Sequence, residues 1–170
     1  MAINLETVPQ DEYACEAYIS GSQTHNLSDM PMRRRTEPGD PIHRNICGWI
    51  DPIALSKSKY FLTFLNDAMR MTYLAVLKTK TAKEVRECFL EFRNVFEQDG
   101  CRVKSIRTDG GGKYMKQLPE LCRETGIHHE ATAPYTPEQN GVAERANETI
   151  CERIRVILAD TDLPKQLWAE

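Results

Sequence analysis

The sequence predicts an α/β protein: one mixed sheet, built from three antiparallel strands and then alternating helices and strands, and flanked by helices. Three observations carry this prediction. Aromatic and β-branched runs follow one another between His43 and Leu77, a helical apolar stripe comes directly after them, and two further strand-then-helix pairs complete the chain. Consecutive strands pair through short connections, whereas strands separated by a helix join in parallel.

The first run, "HRNICGWIDPI", begins at His43. The next two, Tyr60 to Leu65 and Thr72 to Leu77, are separated by a polar break. Thr81 followed by Glu84 forms a capping box, and Val85, Cys88, Phe89, Phe92 and Phe96 then trace one helical face that stops at Gly100. "RVKSIRTD" is a short strand, and "LPELCRETG" a short helix ended by Gly126. "IHHEAT" is a strand on which His128 and His129 must face opposite ways, one packed and one at the surface. The last helix runs from about Gln139 to Asp160, with Val142, Ala146, Ile150, Ile154 and Ile157 expected inside.

With 170 residues, 41% of them hydrophobic, the chain supports one folded unit with a true core. Residues 1–40 lack periodicity and end in "MPMRRRTEPGD", so they are expected to be a poorly ordered arm and linker, with 41–165 as the core and 166–170 as a truncated continuation. The formal net charge of -3 excludes a globally basic nucleic-acid binder, so any such role rests on a local patch. No run of 18 apolar residues occurs, and the first thirty residues are acidic and polar. The expectation is a soluble intracellular chain, in nucleus or cytoplasm, neither secreted nor membrane-bound. The six cysteines are dispersed without a CxxC pair and are expected to be reduced core thiols.

The chemistry concentrates in "APYTPEQNGVAERANETI", a stiff loop that turns into a helix with Glu144 in its first turn. Asn45 on the first strand, Asp109 at the exit of the fourth and Glu144 at that helix start gather at one edge of such a sheet. Taken alone, Asp109 also reads as a turn residue and Glu144 as an acid favoured by the helix dipole. The glycines after Asp109 lack the lysine and hydroxyl of a phosphate-binding loop.

"KYFLTFLNDAMR", "IRTDGGGKY", "APYTPEQNGVAERANETI" and "LPKQLWAE", in this order, closely resemble the integrase core of copia-type LTR retrotransposon Pol polyproteins, within the retroviral integrase superfamily. The resemblance runs from about Thr36 to Glu170. It implies a ribonuclease-H-like fold and a polynucleotidyl transferase in which two aspartates and a glutamate hold two magnesium ions and join DNA ends to target DNA. It implies Asp109 and Glu144 as catalytic metal ligands, DNA and a homo-oligomeric assembly as partners, and Asn140, Arg145 and Asn147 as residues facing nucleic acid, while Lys104, Arg107 and Lys113 flank the Asp109 edge and read as guides for a phosphate backbone. For Lys104, Arg107 and Lys113 a solvated face is an equal reading.

Several positions depart from the family pattern. Where the family has its first catalytic aspartate this chain has Asn45, which implies impaired catalysis; a non-catalytic, domesticated nucleic-acid- or protein-binding module is the alternative. Asp51, six strand residues on, is too distant to substitute, and Asp67 is a weak substitute. The interval between Asp109 and Glu144 is a residue short, a deletion placed near Pro119. Two basic positions of the family helix are Ala146 and Glu148 here. Cys15 and Tyr18 resemble the remnant of a zinc module whose histidine half is missing, so no zinc is expected.

Overall fold

The computed structural model describes residues 3–4, 37–66, 68–98, 100–108, 118–131 and 141–170. Its elements are β1 (Ile3–Asn4), β2 (Ile42–Gly48), β3 (Ile50–Asp51), β4 (Tyr60–Asn66), β5 (Met71–Leu77), α1 (Ala82–Glu97), β6 (Ser105–Thr108), α2 (Leu118–Thr125), β7 (His128–Ala131), α3 (Gly141–Asp160) and a 3-10 turn at Lys165–Leu167. The main sheet has the order β5-β4-β2-β6-β7. β2, β4 and β5 pair antiparallel, while β6 joins β2 and β7 joins β6 in parallel. This is the predicted mixed sheet, with the two parallel connections made through helices.

Side-chain alternation on β2 and β4 divides the core in two. Ile42, Leu62 and Phe64 face α1 and α2, where Phe89, Phe92, Phe96, Leu121 and Cys122 close the larger cluster. Phe64 stacks on Phe92 with centroids 4.5 Å apart and planes 8° from parallel. On the other face Phe61 packs with Ile50, Ala54, Cys151, Leu158 and Trp168. The Thr81 side chain caps α1 by accepting from the Glu84 amide. The Glu84 carboxylate turns further back than a capping box requires, accepting from the amides of Lys78 and Thr79.

One expectation is corrected. On α3 the buried residues are Ala143, Asn147, Cys151 and Leu158; Ile150 and Ile154 are partly covered, and Ile157 is 58% exposed. The helix is turned by one residue because its small side chains allow close approach to the sheet and Asn147 supplies the partner that a buried threonine requires. The core also begins before residue 41. Gly39 accepts from the amides of Lys104 and Ser105, and a Cβ there would meet the Arg102 carbonyl oxygen at 1.9 Å. Within the expected arm, β1 also pairs in parallel with β3; Cys15, Tyr18, His25 and Arg33 to Arg35 lie outside the described residues. Lastly, Leu167, Trp168 and Ala169 pack on the core. Trp168 is buried with its indole N–H donating to the Pro52 carbonyl, and Glu170 accepts from the Ser56 amide.

His128 is exposed, while His129 is half-buried with Nε2 3.0 Å from the Thr108 hydroxyl, the division expected from strand alternation. Burial, then the neighbouring His128 and Arg44, hold the His129 pKa below its ordinary 6.5. The unfolded chain therefore binds the proton more readily, so this contribution to stability is complete above 6.5 and is lost as pH falls through that value toward the depressed folded one. Urea midpoints are expected to drop between about pH 7.5 and 5.5, and to drop less in His129→Gln.

Candidate catalytic and metal site

Asn45 stands in the middle of β2, half-buried, with Thr63 of β4 as its cross-strand partner. Thr63 is the only hydroxyl among the buried residues of β4, which run from Phe61 to Asn66. Its Oγ1 donates to Asn147 Oδ1 of α3 at 2.9 Å and lies 3.3 Å from the Asn45 carbonyl oxygen. Two strand residues further on, Cys47 Sγ meets Cys151 Sγ of the same helix at 3.9 Å.

These two ties fix how α3 lies on the strand. The four residues from Asn147 to Cys151 advance about 6 Å along a helix. The two from Asn45 to Cys47 advance about 6.6 Å along a strand. Helix and strand therefore run side by side in the same direction and nearly in step. Glu144, three residues before Asn147, is about 4.5 Å back along the axis, little more than one strand residue from the level of Asn45. It is exposed in the first turn of α3.

Asn45 thus lies on the face of the sheet that α3 covers, and Glu144 lies in the first turn of that helix. Asp109 lies outside the described residues, as do Asp67, Lys113 and Asn140. Asp109 directly follows Thr108, the last residue of β6, whose partner is Arg44, the residue before Asn45. Among the described residues no cluster of three or more His, Cys, Asp or Glu could hold a metal ion. Asp51 is exposed on β3.

The residues expected to face nucleic acid separate into two kinds. Lys104 and Arg145 are exposed: Lys104 Nζ pairs with Glu37 at 2.6 Å, and Arg145 Nε donates to the Gly141 carbonyl of its own helix. Contacts of this sort are screened by solvent and yield readily to a competing anion. Arg107 is committed to Glu130 instead, with Nη2 and Nε at 2.6 and 3.1 Å from one carboxylate oxygen and both side chains more than four-fifths buried. Asn147, 6% exposed, is committed to Thr63, so its amide is a strut between helix and sheet and not a surface contact.

Thr63 and the Cys47–Cys151 contact are the features that sequence reasoning missed. A lone threonine within "YFLTFLN" was the available signal, because a hydroxyl in a buried strand needs a partner. Asn147→Ala strips that partner, and urea unfolding should show a loss of about 1–3 kcal/mol. A loss near zero would mean that water replaces the amide.

No family model matches the chain. Among curated proteins it is 36% identical over 158 residues to the retrovirus-related Pol polyprotein from transposon TNT 1-94 of Nicotiana tabacum, covering 92% of this chain and 12% of that protein. It is 32% identical over 135 residues to the corresponding polyprotein from transposon RE1 of Arabidopsis thaliana, covering 78% of this chain and 9% of that protein. The chain thus spans about a tenth of the length of these relatives.

Among solved structures, it superposes with a TM-score of 0.67 and 19% identity on a chain of the simian T-cell lymphotropic virus intasome in complex with PP2A regulatory subunit B56 gamma, covering 86% of this chain and 51% of that one. The catalytic core domain of BIV integrase follows with a TM-score of 0.54 and 20% identity, over 75% of this chain and 76% of that one. By sequence the chain belongs with the retrovirus-related Pol polyproteins of plant transposons, and by fold with the catalytic cores of retroviral integrases.

Proposed function

We propose that this chain is the core of an integrase-type polynucleotidyl transferase acting in DNA integration of a retrotransposon, with Asn45, Asp109 and Glu144 around one cation pocket and its chemistry impaired by the amide at position 45. The supporting observation is the Asn147–Thr63 hydrogen bond, which ties the helix carrying Glu144 to the strand carrying Asn45. The donors fit a hard divalent cation in kind, since all three present oxygen, but they are one negative charge short. Asp109, Glu144 and the Asn45 amide oxygen would hold magnesium, which when bound supplies an activated nucleophile and neutralises phosphate charge. Lys104 and Arg145, with Lys113 and Asn140, would line the path of the DNA backbone, and Arg107 is reserved by Glu130. Retroelement ends and target DNA would be the substrates, and a homo-oligomer the working form.

A second reading, a non-catalytic nucleic-acid- or protein-binding module, is favoured by the structural independence of the fold from its site: the ties holding α3 in place use Asn147, Thr63 and the cysteines, not carboxylates. A DNA-joining assay on labelled duplexes with magnesium or manganese separates the two, using the chain itself, Asn45→Asp, and Asn45→Asp combined with Glu144→Gln. The transferase reading expects background activity, recovered activity and renewed loss, in that order. Strong joining by the unreverted chain overturns the impairment, and joining that survives Glu144→Gln overturns the site. DNA binding without joining in any variant supports the second reading.

A further inference from the structure

We propose that Cys47 and Cys151 form a reversible disulfide that clamps α3 onto β2, a modification site that stands whether or not the chain joins DNA. The two sulfurs, 104 positions apart in sequence, lie 3.9 Å from one another across the helix–strand interface. A disulfide needs about 2.05 Å, so the sulfurs must close by about 1.9 Å, within the range of modest rotations about both Cα–Cβ bonds. Both are free thiols packed in the cluster with Phe61, Ile150 and Ile154. Cys88, Cys101 and Cys122 pack in the other cluster, on the far side of the sheet, and cannot compete for either sulfur.

The local chemistry favours reaction at this pair. The two sulfurs share a hydrogen bond, which holds the Cys151 thiol below its ordinary range, with Arg155 assisting, and together with burial pushes the Cys47 thiol up. The thiolate is the reactive form. Cys47 is only half-buried, which gives a small oxidant access to the contact. With hydrogen peroxide, one thiol of the pair, as its thiolate, attacks one oxygen and displaces hydroxide, leaving a sulfenic acid. The other sulfur, releasing its proton, then attacks that sulfur and expels the second oxygen as water. Two thiols and one peroxide give one disulfide and two waters.

The test uses the full chain, reduced and then exposed to hydrogen peroxide, with remaining thiols alkylated before trypsin digestion. Cleavage after Arg44 and Arg145 puts the two cysteines on different peptides. The expected product is those peptides joined, two hydrogens lighter than their sum and separated by dithiothreitol. The oxidised chain should melt higher by roughly 5–10 °C, because a long loop is closed in the unfolded state. Cys151→Ser, checked for a native circular dichroism spectrum, should lose both the joined peptide and the shift. Alkylation of both residues in oxidised, folded chain overturns the proposal, and so does a bridge from either to another cysteine or oxidation that stops at sulfinic acid.

Discussion

Asn45→Asp is expected to raise metal-dependent DNA joining by on the order of a thousandfold. An amide oxygen ligates magnesium but carries no charge, and one missing unit charge about 4 Å from a cation is worth about 4 kcal/mol at an effective dielectric of 20. Each 1.36 kcal/mol is a factor of about ten in rate, hence about three orders of magnitude. The fold tolerates the change because α3 is held by the Asn147–Thr63 bond and by the Cys47–Cys151 contact, neither of which involves the Asn45 side chain. The same substitution should separate stability from activity. Without metal the added half-buried carboxylate lowers the melting midpoint slightly, while millimolar magnesium raises it, since a ligand that binds only the folded state stabilises it. A rate within tenfold of the parent, with magnesium-dependent stabilisation present, would mean that the charge at position 45 does not limit the chemistry.

Phe92→Ala is expected to produce the largest loss of stability, about 3–5 kcal/mol. Phe92 is fully buried, stacked on Phe64, and in tilted contact with Tyr73, Phe89 and Phe96 at centroid distances of 5.7, 6.5 and 5.5 Å. Removing the ring opens a cavity where the sheet meets α1, and the surrounding rings are too rigid to collapse into it fully. Against a total stability of about 5–15 kcal/mol, much of the native population would be lost at body temperature. Val95 on the same helix is 49% exposed, so Val95→Ala should stay within about 0.5 kcal/mol. Urea unfolding followed by circular dichroism measures both. A cost below about 1 kcal/mol for Phe92→Ala would show that the aromatic cluster is not the packing centre.

The element order was legible because it depends on local periodicity. Tyr60 to Leu65 is an aromatic and branched run of strand length, and Val85, Phe89, Phe92 and Phe96 repeat as one face of a helix, wherever the partners lie. The last helix shows the limit of that reasoning. Val142, Ala146, Ile150, Ile154 and Ile157 make a plausible apolar stripe, but the sheet accepted Ala143, Asn147, Cys151 and Leu158. Hydropathy ranks Asn147 as a surface residue, and only the buried Thr63 hydroxyl beneath it reverses that rank. Arg107 is a similar case: a basic residue beside a candidate site suggests phosphate, and its commitment to Glu130 exists only once β6 and β7 are paired.

By itself, the sequence determined the strand and helix order, the family likeness and the presence of an amide at position 45, because these reside in residue identity and in spacing along the chain. The tertiary structure alone decided which face of α3 is buried, which charges are already neutralised, and that Cys47 and Cys151 meet. Those outcomes depend on contacts between residues from 23 to 104 positions apart, whose energies are set by packing and desolvation and leave no local periodic signal.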